Sequence, residues 1–70
     1  MADKAEKLKI LINHLIGHNE DHAQEIVGLA ETAKELGSNE AHDLLLQGVD
    51  ELRTSNISLK KAFDLISKEM

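Results

Sequence analysis

The chain reads as an all-α protein folded into an antiparallel helical hairpin, and three observations carry that reading. Apolar and semi-apolar positions recur at alternating spacings of three and four along nearly the whole length. Proline is absent, while strong helix formers (Ala, Leu, Glu, Lys) dominate alongside Ile and Asp. A single Gly37-Ser38 pair punctuates the pattern at mid-chain.

The first helix is expected over residues 4–36, with Asp3 as its N-cap because a carboxylate there accepts from the free amides of the first turn. Its seam runs through Ala5, Leu8, Ile12, Leu15, Asn19, His22, Ile26, Leu29, Ala33 and Leu36. Gly17 lies off that seam. It either sits in one long helix, at a cost of about 1 kcal/mol relative to Ala, or marks a kink with Asn19 capping a fresh helix. Both alternatives fit the spacing.

Gly37 suits the left-handed position after a helix end, and Ser38 suits the next N-cap with Glu40 in the first turn. The second helix is expected over residues 39–68, with a seam of Ala41, Leu45, Gly48, Leu52, Ser55, Leu59, Ala62 and Ile66. Leu44 and Leu65 flank it on one side, Val49 and Phe63 on the other, and Thr54-Ser55-Asn56 is its weakest helix-forming stretch. Two helices of this length, each roughly 45–50 Å long, with a two-residue connection give a hairpin. A lone hairpin leaves part of so wide an apolar face wet. Two hairpins packed as a four-helix bundle cover it, so a homodimer is the expected assembly. The rival is a three-helix monomer broken near Gly17.

A hairpin turning at Gly37-Ser38 brings Asn19 opposite Ser55 and Asn56, and His22 opposite Leu52 and Ser55. Asn19, His22, Ser55 and Asn56 are therefore expected to form one polar layer, a device that fixes register in an apolar core. Protonation of His22 within it offers a pH-dependent loosening.

Bulk composition narrows the function. Seventy residues form one domain, residues 1–70, with a limited core, and no cysteine is present to staple it. The formal charge is -5, with 13 acidic and 8 basic residues, and Phe63 is the single aromatic. Phosphate backbones and bases find neither a basic stripe nor stacking platforms, so nucleic acid is not an expected partner. No apolar run is long enough to cross a membrane, and the Met-Ala-Asp-Lys start lacks a signal-peptide core. A cytoplasmic location is expected. The Asn56-Ile57-Ser58 sequon is then a coincidence.

The most distinctive stretch is His14-Leu-Ile-Gly-His18-Asn-Glu-Asp-His22, with imidazoles at i, i+4 and i+8. Helical geometry stacks them along one flank about 6 Å apart per step. An i, i+4 pair can chelate one transition-metal ion, but His14 and His22, about 12 Å apart, cannot share one. The chain thus offers a half-site, either His14 with His18 or His18 with His22. Remaining ligands would come from carboxylates such as Glu25, Asp50 or Glu51, or from a second chain. Imidazole and carboxylate without thiolate suit nickel, zinc, copper or iron. Structural residues of a polar layer are the competing reading for His18 and His22, and plain solvent exposure for His14 and His42. Catalysis is not expected, because thiol, Tyr and Gly-rich phosphate loops are absent and a hairpin offers no deep pocket.

The segment from Leu8 to Ala23, with His14, Leu15, Ile16, His18, Asn19, His22 and Ala23 as its motif, resembles a short helical domain of unknown function from anaerobic bacteria and archaea. The likeness extends through Ala33-Lys34-Glu35-Leu36-Gly37 and weakly into the second helix. Some relatives follow a His-rich segment in nickel-handling proteins, which implies a metal role for His14, His18 and His22. This chain has Leu15 where relatives often carry Trp, and it lacks the His-rich tract. The expected function is an assembly or partner-binding module without catalytic activity. The alternative is a nickel- or zinc-binding accessory protein using the three histidines.

Overall fold

A computed structural model of the chain describes residues 2–69, with side chains from Lys4 onward. It contains two helices, α1 over Ala2–Glu35 and α2 over Asn39–Glu69, packed antiparallel as a hairpin. The molecule measures 54 × 15 × 10 Å. Its length is that of one 34-residue helix at about 1.5 Å per residue. Helix α1 begins before the expected start, so Asp3 stands inside the first turn; the capping expected of its side chain lies outside the described residues.

Helix α1 is continuous, which decides between the two readings of Gly17: there is no break, and Asn19 caps nothing. A Cβ built on Gly17 meets nothing within 4 Å. Gly17→Ala is therefore expected to raise stability by about 1 kcal/mol, by removing backbone freedom from the unfolded chain. Urea unfolding of the two proteins checks this, and an unchanged or lower midpoint would contradict it.

The turn is closed by backbone hydrogen bonds. The amide of Ser38 donates to the carbonyl of Ala33 at 2.9 Å, and that of Gly37 to Lys34 at 3.0 Å. This is the paired arrangement that ends a helix when the residue after its cap is left-handed. Gly37 has φ of 90°, a conformation that costs an L residue about 1–2 kcal/mol. Ser38 then starts α2: its Oγ accepts from the Ala41 amide at 3.3 Å, and its carbonyl from His42 at 3.1 Å.

The seam between the helices departs from expectation in its rotation. On α1 the covered line is Ala5, Lys9, Ile12, Ile16, Asn19, Ala23, Ile26, Ala30 and Ala33, with Glu20 and Val27 half-buried beside it. Ala5, Ile12, Asn19, Ile26 and Ala33 were expected there. The other expected members, Leu8, Leu15, His22, Leu29 and Leu36, are all exposed. On α2 the covered line is His42, Leu45, Val49, Leu52, Asn56, Leu59, Phe63 and Ile66. Val49 and Asn56 are its buried members and the rest are half-buried, as are Ala41, Leu46, Gly48 and Ala62 beside it, while Ser55 is exposed. Half of each expected stripe stays in the seam and the other half moves on by one position, a turn of about 50° for each helix.

The physical reason is that each apolar arc is wide enough to hold two stripes of identical spacing, so periodicity alone cannot choose between them. Packing selects the stripe with small side chains on α1. Ala23 and Ala30 are fully covered, and Val49 is 3 % exposed. These three are the buried apolar residues among those described, and none is large. A core that small is weak support for an isolated chain.

Candidate functional site

At mid-height the two helices are joined by a pair of asparagines. Asn19 Nδ2 donates to Asn56 Oδ1 at 3.0 Å, and Asn56 Nδ2 donates to the carbonyl oxygen of Ile16 at 3.1 Å. Asn56 is only 6 % exposed, and no buried side-chain polar atom among the described residues lacks a partner. A buried amide with both ends satisfied holds the rotation and register of the helices, because a slip would strand it. Ser55 and His22 do not join this layer: Ser55 is exposed, and the His22 side chain is 57 % exposed beside Glu25. The layer holds no titratable group, so the loosening expected from His22 protonation has no point of action in it. Burial also places Asn56 out of reach of glycosylation.

The three histidines of α1 form a ladder. Ring centres of His14 and His18 are 4.4 Å apart, and those of His18 and His22 5.8 Å apart. Each four-residue step drifts about 40° around the helix, carrying the ladder from the outer surface at His14 toward the flank at His22. All three are exposed. His22 Nδ1 lies 3.7 Å from Glu25 Oε2. Among the described residues, no group of three or more His, Asp or Glu side chains could hold a metal ion, so neither Asp50 nor Glu51 completes a set within one hairpin. His42 stands apart, half-buried near the turn with Nδ1 3.0 Å from Asp43 Oδ1.

Rotation of the seam leaves the hairpin with two unlike broad sides. One carries the ion pair between Arg53 and Glu20, which spans the helices at 3.3 Å, and an open groove lined by Glu6, Lys9, Ile10, Asn13 and Phe63. At about 100° per residue, the opposite side takes Leu8, Leu11, Leu15, Leu29 and Leu36 from α1. From α2 it takes Leu44 and Leu65, with the small residues Ala41, Gly48, Ser55 and Ala62 beside them. The seven leucines are 43–83 % exposed. His18 and His22 lie in the middle of the same side, between Leu15 and Leu29. This leucine side was not anticipated from the sequence as a separate surface. The signal for it was there: Leu8, Leu11, Leu15, His18, His22, Glu25, Leu29, Thr32 and Leu36 alternate three and four as regularly as the seam does.

A family model described as Domain of unknown function (DUF8180) matches residues 8–66, both helices and the turn between them. The chain belongs to the DUF8180 family. No curated protein and no solved structure matches it. The match to DUF8180 begins at Leu8, the first leucine of the exposed side, and ends at Ile66 on the α2 seam. It therefore covers the asparagine pair, the histidine ladder and both halves of the leucine side. No helix in the described residues is long and apolar enough to cross a membrane.

Proposed function

We propose that this domain is an assembly module, and that its first partner is a second copy of itself, joined through the leucine side into a four-helix bundle. The observation that carries this reading is a leucine stripe at coiled-coil spacing on the outside of a hairpin whose inside buries only small residues. The areas agree. The hairpin exposes 5435 Å², about 1,100 Å² more than the roughly 4,300 Å² of a compact protein of its mass. A standard interface covers about 800 Å² per partner. Helix pairs present no enclosed pocket, and the grooves on this surface are open, which fits holding partners rather than turning over a substrate.

The histidine ladder supports a second reading, a nickel- or zinc-binding accessory role. It offers ring nitrogens at chelating spacing and needs more ligands than one hairpin brings together.

Co-expression of a tagged and an untagged copy tests the assembly reading. The tagged chain is expected to retain the untagged one through washes containing a chelator. Recovery of the tagged chain alone would contradict self-association.

A further inference from the structure

We infer that two copies meet with their turns at opposite ends, and that this contact closes His18 and His22 of both chains into one four-imidazole site for a divalent transition-metal ion. The inference rests on the self-association proposed above and adds the orientation and the ligand.

The orientation follows from a self-complementary arrangement on the leucine side. A two-fold contact sets each helix against its own copy, running in reverse, when the turns point apart. Reversal of α1 about residue 20 places Leu11 opposite Leu29 of the partner subunit, and His18 opposite His22 of the partner subunit. Reversal of α2 about residue 53 sets Leu44 against Ala62 of the partner subunit, and Ala41 against Leu65 of the partner subunit. Large then meets small across both ends of α2, as interdigitated layers require. The two centres were found on separate helices, yet they lie at one level of the hairpin: Glu20 and Arg53 are in direct contact at 3.3 Å. A single two-fold axis therefore serves both helices. With the turns at the same end, each α1 faces the other chain's α2, and the two His pairs fall on a diagonal.

The metal site follows from what that axis gathers. Two imidazoles on one tetrahedral ion, with bonds of about 2.0 Å, have ring centres roughly 5 Å apart. Ring centres of His18 and His22 stand at 5.8 Å and those of His14 and His18 at 4.4 Å, both within about 1 Å of that spacing, so position decides which pair the contact gathers. His14 points away from the leucine side. One chain supplies two nitrogens and the partner the other two, completing the four-coordinate set that a single hairpin lacks. Nitrogen-only ligation suits Zn(II), Co(II), Ni(II) and Cu(II).

The test uses the full chain stripped of metal. Its mass in chelator is measured first, and a monomer there would overturn the self-association on which the inference rests. Co(II) is then titrated and followed by its visible absorption. The expected result is an intense tetrahedral band saturating at one ion per two chains, discharged by Zn(II), and lost with at least a 100-fold fall in affinity in His18→Ala and in His22→Ala. His14→Ala is expected to bind as the parent does, and circular dichroism checks that each variant keeps its helices. Saturation at one ion per chain, or binding that survives His22→Ala and fails in His14→Ala, would overturn the shared site. Spin labels at Glu35→Cys, near the turn, test the orientation independently: labels about 45 Å apart are expected with the turns opposed, and labels within about 25 Å would refute it.

Discussion

Replacing Leu15 and Leu29 together by Glu is expected to turn the dimer into a monomer and to remove most of the domain's resistance to denaturation. Both side chains are more than half exposed in the single hairpin, at 51 % and 58 %. In an isolated hairpin, polar residues there would be almost free of cost. In the bundle each is covered, and a two-fold assembly counts each twice. Full burial of a leucine contributes about 1.5–3 kcal/mol; about half of each side chain is left to cover, so four of them amount to roughly 3–6 kcal/mol, a change in Kd of about 10²- to 10⁴-fold. Uncompensated carboxylates in the interface add to the loss. The control is Ile10→Glu with Ile57→Glu, which also replaces two exposed apolar residues, 63 % and 56 % exposed, but away from the leucine side. That variant is expected to keep the parent's mass and melting temperature. Equal behaviour of the two variants would show that the leucine side has no special role.

Asn19→Ala is expected to cost about 1–3 kcal/mol per chain, because it leaves the buried Oδ1 of Asn56 without a donor. Asn56→Ala removes both the pairing and the bond to the Ile16 carbonyl, so a loss of similar size is expected. Together with Asn19→Leu and Asn56→Leu in one chain, the comparison becomes informative. Removing both polar groups and filling the space with methyl groups lifts the desolvation cost that the pair carries, so stability is expected to recover and to exceed the parent's. Register then loses its anchor, and broader amide dispersion lines or mixed oligomers are expected. A double-mutant cycle in urea measures the coupling between the two asparagines. Additive single substitutions would mean that the hydrogen bond between them contributes nothing.

The parts of the fold that local chemistry determines are readable in the sequence. Gly37 and Ser38 announce a helix end and a helix start because few other residues do those two jobs, and the turn stands where they are. Once the turn is located, chain length alone brings Asn19 to the level of Asn56, and the hydrogen bond between them follows. What could not be read was the rotation of each helix about its axis. Leu8 and Lys9, Leu15 and Ile16, Leu29 and Ala30 are neighbouring pairs, one of each in either stripe. Side-chain size favours the leucines for the interior. The structure takes Lys9, Ile16 and Ala30 instead, because fully covered Ala23 and Ala30 let α2 lie close and the asparagines hydrogen-bond only in that rotation. The same shift moved His22 and Ser55 from the expected polar layer to the outside. The spacing of the histidines was legible, but their position at the centre of an apolar side was not, since that depends on the rotation.

Sedimentation equilibrium of the metal-free protein over a range of micromolar concentrations tests the central claim most directly. The account predicts a mass twice the 7.7 kDa of one chain, independent of chelator and shifted to a single chain by Leu15→Glu with Leu29→Glu. A mass of one chain at every concentration, with the helices intact by circular dichroism, would contradict it.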